Sequence, residues 1–277
     1  MIVSAIQFET GGKEVVLDKG LSLIQKALRD KPDLIVLQEL FNTIYFPQHE
    51  KKEYFGLAEK IPGITTQKVE ELIRGRNTAV IAPIFEKDIY RYFCSAAVVD
   101  SDKGLVGTYR KIHIPTVEKV HEPFYFQGGD LGHTVFEVRG ARIGIMLCYD
   151  RHFPESARLY GLREIDLLCV CSATPKSAAW PWFFEMQAHA FSNCYALACA
   201  NRAGTEDGID FLGSSFISSH KGEILARCGE DGDRIIMADI DLSEIRESKK
   251  KLVFYRDRRP DQYDGIATMG SYGEKSK

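Results

Sequence analysis

Cys148 closes the apolar run Ile143–Leu147 and is followed at once by Tyr149, Asp150, Arg151 and His152. A thiol at the end of a buried strand, just before the helical pattern that opens at Pro154, stands where many α/β enzymes place reacting groups. The unpaired N–H groups and dipole of a helix start favour an anion there, and so a thiolate, while Asp150 is a like charge that opposes it. A cysteine nucleophile needs a base. His152 lies in the same tight turn and has little freedom to aim at its neighbour's sulfur; His113, His121, His133 and His189 read as surface or packing residues. Two other strand ends offer more. "DLIVLQELF" carries Glu39 at the end of a run that should be wholly buried, where a carboxylate is costly unless paired or protonated. "VGTYRKIHIP" places Lys111 at a strand end before a proline-containing loop. Gathered together, the three make a coherent site. Glu39 takes the thiol proton and returns it to a leaving amine. Lys111 and the N–H of the residue after Cys148 hold the developing oxyanion. Taken singly, Cys148 is equally a structural thiol, Glu39 a paired strand-end carboxylate and Lys111 a surface lysine.

For these residues to meet, strands and helices must alternate. "MIVSAIQF", "DLIVLQE", "TAVIAPIFE" and "RYFCSAAVVDSDKGLVGTYRK" read as strands, the last a hairpin turning at Asp100–Gly104. Between them, "EVVLDKGLSLIQKALRD" spaces Val16, Leu23, Ile24 and Leu28 as a helix face requires. "TTQKVEELIRGR" is a second helix, capped by Thr65 or Thr66. "TVFEVRGARIGIMLCYD" is a hairpin turning at Arg139-Gly140. The rhythm repeats with "IDLLCVCSAT", a helix around Trp182–Asn193, "YALACANRAG", a turn at His220–Gly222, "RIIMADIDL" and a last helix "SEIRESKKK". Continuous apolar runs indicate strands covered on both faces. The expectation is one α/β domain of mixed sheets covered by helices over 1–277, with a polar tail from about 254.

Bulk properties exclude several classes. A chain of 277 residues with 44% hydrophobic content buries a substantial core. A net charge of −3 asks for neither a nucleic-acid nor an anionic-membrane partner, and Lys249–Lys251 reads as a solvated face. No apolar segment reaches the roughly 20 residues needed to span a bilayer. The start, "MIVSAIQFET", reads as a strand rather than a secretory signal, so the expected compartment is the cytoplasm. Of the seven cysteines, mostly in apolar runs, all but Cys148 read as buried hydrophobes. Cys169 and Cys171 share a strand face but lack a second ligand pair for a metal.

Three blocks, "DLIVLQELF", "GTYRKIHIP" and "ARIGIMLCYDRHFPESAR", stand in the order found in the nitrilase superfamily, the carbon–nitrogen hydrolases, which the chain resembles over nearly its whole length. The resemblance implies a nitrilase-like four-layer α-β-β-α sandwich and a Cys-Glu-Lys triad of Cys148, Glu39 and Lys111, with no metal or organic cofactor. It also implies a second glutamate, Glu122 in "HEPFYFQGGD", that holds Lys111 and orients substrate. "CYDRHFPE" resembles the turns of N-carbamoyl-amino-acid hydrolases and β-ureidopropionase, where an arginine contacts the substrate carboxylate; here that is Arg151, whose planar fork suits a carboxylate. "LFNTIYF", with Tyr45, and "FYRDRRPDQY" resemble N-carbamoylputrescine amidohydrolases, whose substrate end is cationic. Tyr149, His152, Ala173 and Thr174 are the other expected substrate contacts, with Trp180 and Trp182 lining the pocket. The implied substrate is a small amide or N-carbamoyl compound. The implied assembly is a homodimer or larger homo-oligomer in which the tail covers the partner.

Overall fold

The structure, a computed structural model, describes residues 1–11, 16–118 and 120–268. Strands β1 (Ile2–Gln7), β2 (Leu34–Leu37), β3 (Ala79–Asp88), β4 (Arg91–Asp100) and β5 (Gly104–Arg110) form most of one sheet. Strands β6 (Phe136–Val138), β7 (Ala141–Leu147), β8 (Leu167–Ser172) and β9 (Ala196–Asn201) form most of a second. A separate hairpin, β10 (Ala203–Glu206) and β11 (Ile209–Leu212), follows; β12 (Phe216–Ser218) and β13 (Ile224–Arg227) then extend the second sheet, and β14 (Arg234–Asp239) returns to the edge of the first beside β1. The helices are α1 (Val16–Ala27), α2 (Ile64–Ile73), the single turn α3 (Glu122–Tyr125), α4 (Pro154–Leu162), α5 (Trp182–Asn193) and α6 (Leu242–Lys251).

The two-residue period of the strands builds four layers from continuous apolar sequence. In β2, Leu34 and Val36 face the second sheet while Ile35 and Leu37 face α1 and α2. In β8, Leu167, Cys169 and Cys171 face the first sheet while Leu168 and Val170 face α4 and α5. The order is therefore helices, sheet, sheet, helices, as the sequence pattern and the resemblance lead one to expect. β1, β2 and β3 are parallel, as are β7, β8 and β9. The ends of β2, β7, β8 and β9 gather at one side of the sandwich, where Glu39 donates its backbone N–H to Ser172 in the opposite sheet.

Local sequence explains the joints. Arg139 and Gly140 both take positive φ, 50° and 80°, and turn β6 tightly into β7. Gly144 leaves room for the ring of Tyr160, whose hydroxyl donates to the Ile145 carbonyl at 2.7 Å and seats α4 on β7. The second helix starts earlier than the threonines indicated: Gly63 is its cap, and Thr66 accepts the Gly63 N–H at 2.8 Å. "YALACANRAG" is not one strand. It breaks at Arg202, and its second part leaves the sheet as β10. Lys249 is not solvated either; its side chain is largely buried, 3.7 Å from the buried carboxylate of Asp166, whereas Lys250 and Lys251 are exposed. Among the described residues no helix is long and apolar enough to cross a membrane. The tail expectation is covered only to residue 268; residues 269–277 lie outside the described residues.

Candidate active site

Glu39 follows β2 and is buried. The next residue, Leu40, takes a φ of 51° and turns the chain. The loop so formed is held from below by Arg202, fully buried at the end of β9. Its Nη2 donates to the carbonyls of Glu39, Leu40 and Thr43 at 3.1, 2.7 and 3.1 Å. Its Nη1 donates to Glu206 Oε1 at 2.6 Å, and Glu206 Oε2 accepts the Tyr45 N–H at 2.8 Å. Arg202 and Glu206 were not singled out from sequence. The signal was present: an arginine directly after the apolar run "ALACAN" is a strand-end charge of the same kind as Glu39 and Lys111.

Lys111 follows β5 and is fully buried. Its backbone is fixed on both sides, the N–H to the Cys94 carbonyl at 2.9 Å and the carbonyl to the Gly129 N–H at 2.7 Å. Its Nζ donates to Glu39 Oε1 at 2.9 Å and to Glu122 Oε1 and Oε2 at 2.9 and 2.7 Å. All three ammonium protons thus meet carboxylate oxygens. Glu122 opens α3 and also accepts from the Tyr45 hydroxyl at 3.3 Å. Burial alone would depress the lysine, but Glu122 and Glu39 outweigh it and hold its pKa well above the usual value. Burial, joined by repulsion from Glu39 and opposed by Lys111, raises Glu122 to about 7.

Cys148 ends β7 with a φ of 40°, a left-handed conformation rare for a side-chain-bearing residue, and begins a 3₁₀ turn over Cys148–His152. The first N–H groups of such a turn have no acceptor within it, and Tyr149 supplies one of them. Asp150 is the pin of this elbow. It is fully buried and accepts from Tyr109 Oη at 2.7 Å, the Leu147 N–H at 3.1 Å, and the His113 N–H and Nδ1 at 2.9 and 2.8 Å. Its charge is therefore engaged by the turn. The carboxylates that oppose thiolate formation are Glu39 and, more weakly, Glu122. Burial, with Glu39, raises the Cys148 pKa, against the opposing pull of Lys111 and Arg151. The expected helix-start stabilisation of a thiolate is thus opposed here by burial and by the carboxylates of the cluster.

The five histidines weighed as bases are occupied. His152 bonds Glu185 Oε1 through Nδ1 at 2.9 Å and Arg151 Nη1 through Nε2 at 2.6 Å. His113 also stacks on Phe153, with ring centroids 3.6 Å apart. His133 pairs with the Ser156 hydroxyl, His121 with Glu50 and His189 with the Arg151 carbonyl. Arg151 is buried over the Trp182 ring, and its carboxylate partner is Glu185, at 3.7 Å. Thr174 lies beside Cys148: its Oγ1 is 3.9 Å from Cys148 Sγ and 2.7 Å from the Ser172 hydroxyl, and its N–H donates to Asn201 Oδ1 at 2.8 Å. Ala173 is buried next to it, and Tyr149 packs edge-on against His152 and Phe153. The two tryptophans part company. Trp182 is core, donating to the Ser214 carbonyl, and Trp180 is 85% exposed. The structure thus gathers Glu39, Lys111, Glu122 and Tyr45 in one bonded cluster whose charges act on Cys148, with Thr174 at the sulfur.

The sequence profile of the carbon-nitrogen hydrolase family matches residues 2–250. The chain belongs to this family. It is therefore a hydrolase by descent, and its relatives cover it end to end. An N-carbamoylputrescine amidase of Solanum lycopersicum is 33% identical over 96% of this chain and 95% of that protein. A citrullinase of Francisella tularensis is 32% identical over 95% of this chain and 97% of that protein. The crystal structure of a carbon-nitrogen hydrolase from Helicobacter pylori G27 superposes with a TM-score of 0.90 at 31% identity, covering 97% of this chain and 98% of that one. The nitrilase-like sandwich is thus the fold of this protein.

Proposed function

We propose that this protein hydrolyses the terminal C–N bond of an N-carbamoyl amine through a thioester on Cys148. The observation that carries this reading is one buried ammonium, Lys111, holding the two carboxylates of Glu39 and Glu122, with the charges of all three acting on the buried Cys148 thiol. Glu39 removes the Cys148 proton as sulfur attacks the carbamoyl carbon. The carbonyl oxygen becomes an oxyanion faced by Lys111 and the Tyr149 N–H. The C–N bond then breaks, and Glu39 returns the proton to the departing ammonia. Glu39 next takes a proton from water, hydroxide attacks the thioester carbon, the C–S bond breaks and the sulfur regains a proton. The carbamic acid released decomposes, so that R–NH–CO–NH2 and H2O give R–NH2, CO2 and NH3. Glu122 and Tyr45 hold Lys111 in place, and Thr174, Ala173, Tyr149 and His152 line the substrate side.

The amidase and citrullinase relatives support the carbamoyl group. Arg151 already has Glu185 as counter-charge, which supports an amine substrate over one that must bring a carboxylate to Arg151. Assay of ammonia and CO2 together tests the proposal. Both products, in equal amounts, are expected from N-carbamoylputrescine. Ammonia from short amides or nitriles alone overturns it.

The same reading includes a cytoplasmic, single-domain enzyme that forms homo-oligomers. Leu159, Leu162, Phe184 and Phe191 are exposed on α4 and α5, with Phe254 of the tail 6.1 Å from Phe191 between ring centroids, an apolar face suited to a second copy. Light scattering at a monomer mass would overturn that part.

A further inference from the structure

We propose that Cys94 is a positioning residue of this site: it holds one oxygen of Glu39 so that the other is the one that exchanges protons with Cys148. The inference rests on the role given to Glu39 above. Cys94 lies in the middle of β4, fully buried, and touches the site twice. Its carbonyl accepts the Lys111 N–H at 2.9 Å, and its thiol donates to Glu39 Oε1 at 3.4 Å. Oε1 also accepts from Lys111 Nζ at 2.9 Å. Glu39 Oε2 is equally buried and has no hydrogen-bond partner among the described residues. The two oxygens are therefore unlike. One is held by an ammonium and a thiol; the other keeps its lone pairs free for an incoming proton.

The division matters because the last torsion of a glutamate is broad and roughly two-fold. Lys111 alone is a weak guide, since it is also shared with both oxygens of Glu122. A second donor on Oε1, from a rigid strand in the same sheet, removes the freedom to exchange the two oxygens. Burial and the Glu39 charge push the Cys94 pKa well up, so this thiol stays a donor at any pH the enzyme meets. The bland alternative is that Cys94 only fills space between the sheets, as buried cysteines usually do.

Cys94→Ser and Cys94→Ala separate the two. They remove similar volume, and only serine keeps a donor. The expected result is that Cys94→Ser stays within about threefold of wild-type kcat, while Cys94→Ala loses about tenfold with KM within about twofold. Cys94→Val, which keeps volume without a donor, is expected to follow Cys94→Ala in kcat and serves if alanine fails to fold. Equal kcat in the serine and alanine variants would overturn the inference and leave packing alone. Glu39→Gln separates this from the parent reading: if that variant retains activity, the role of Glu39 is wrong, whereas an inactive Glu39→Gln beside matching Cys94 variants removes only the role of Cys94.

Discussion

Glu122→Gln gives a sharp thermodynamic signature. Glutamine keeps the shape of a protonated glutamic acid and an acceptor for Lys111 and Tyr45, and it cannot ionise. In the folded protein Glu122 is raised to about 7 from an ordinary 4.5, chiefly by burial and by Glu39. A carboxyl raised on folding makes the native state hold its proton more tightly than the unfolded chain does. Stability contributed by that proton is present below about pH 7 and is lost as pH rises from the unfolded value through the folded one. At about 1.4 kcal/mol per unit, the shift amounts to roughly 3 kcal/mol. Urea unfolding at pH 5.5 should therefore find Glu122→Gln close to wild type. By pH 8 the balance between them should have moved in favour of the variant by about 2 kcal/mol, the part of the shift that lies above pH 5.5, since only the wild type then carries the second buried carboxylate. The variant's kcat should fall at pH 8, where only the wild type sets a second carboxylate beside Lys111, and should stay near wild type at pH 5.5. A stability difference that stays flat from pH 5.5 to pH 8 would refute the reasoning and return Glu122 to an ordinary ion-paired carboxylate.

Further outcomes follow from the same geometry. Arg202→Met strands the buried Glu206 and frees three carbonyls of the Glu39 loop, so unfolding free energy should fall by about 3–5 kcal/mol, with partial recovery in the Arg202→Met/Glu206→Gln double variant. Asp150→Asn weakens four hydrogen bonds at the elbow and should cost about 2 kcal/mol by urea unfolding together with a fall in kcat; an unchanged kcat would separate the elbow from the chemistry. Because burial and Glu39 raise the Cys148 pKa, inactivation by iodoacetamide should still be accelerating at pH 9, and a plateau below pH 8 would mean a preformed thiolate.

The layers were legible because apolar runs in β2 and β8 are unbroken, which only strands covered on both faces require. Charge at the end of such a run needs a partner, which marked Glu39 and Lys111 in the sequence, while the grouping of both with Cys148 rested on the family resemblance. Directions within the elbow were not legible. The left-handed φ of Cys148 decides where the following side chains point, and no residue type announces it. Asp150 consequently turns under the strand to Tyr109 and His113, and Arg151 lies over Trp182 beside Glu185. The break after β9 was missed for a similar reason: "NRAG" reads as more strand until Arg202 is seen to be consumed by the carbonyls of another loop. Cys94 was hidden by its own type, since a thiol in an apolar strand looks the same whether or not a carboxylate lies opposite.

Glu39→Gln tests the central claim most directly. The substitution leaves an acceptor for Lys111 and removes only the capacity to carry a proton between Cys148, the leaving amine and water. With unfolding behaviour close to wild type, kcat/KM on the best N-carbamoyl substrate should drop by about 10²–10⁴-fold. A folded Glu39→Gln protein that turns over within a few-fold of wild type would contradict the account.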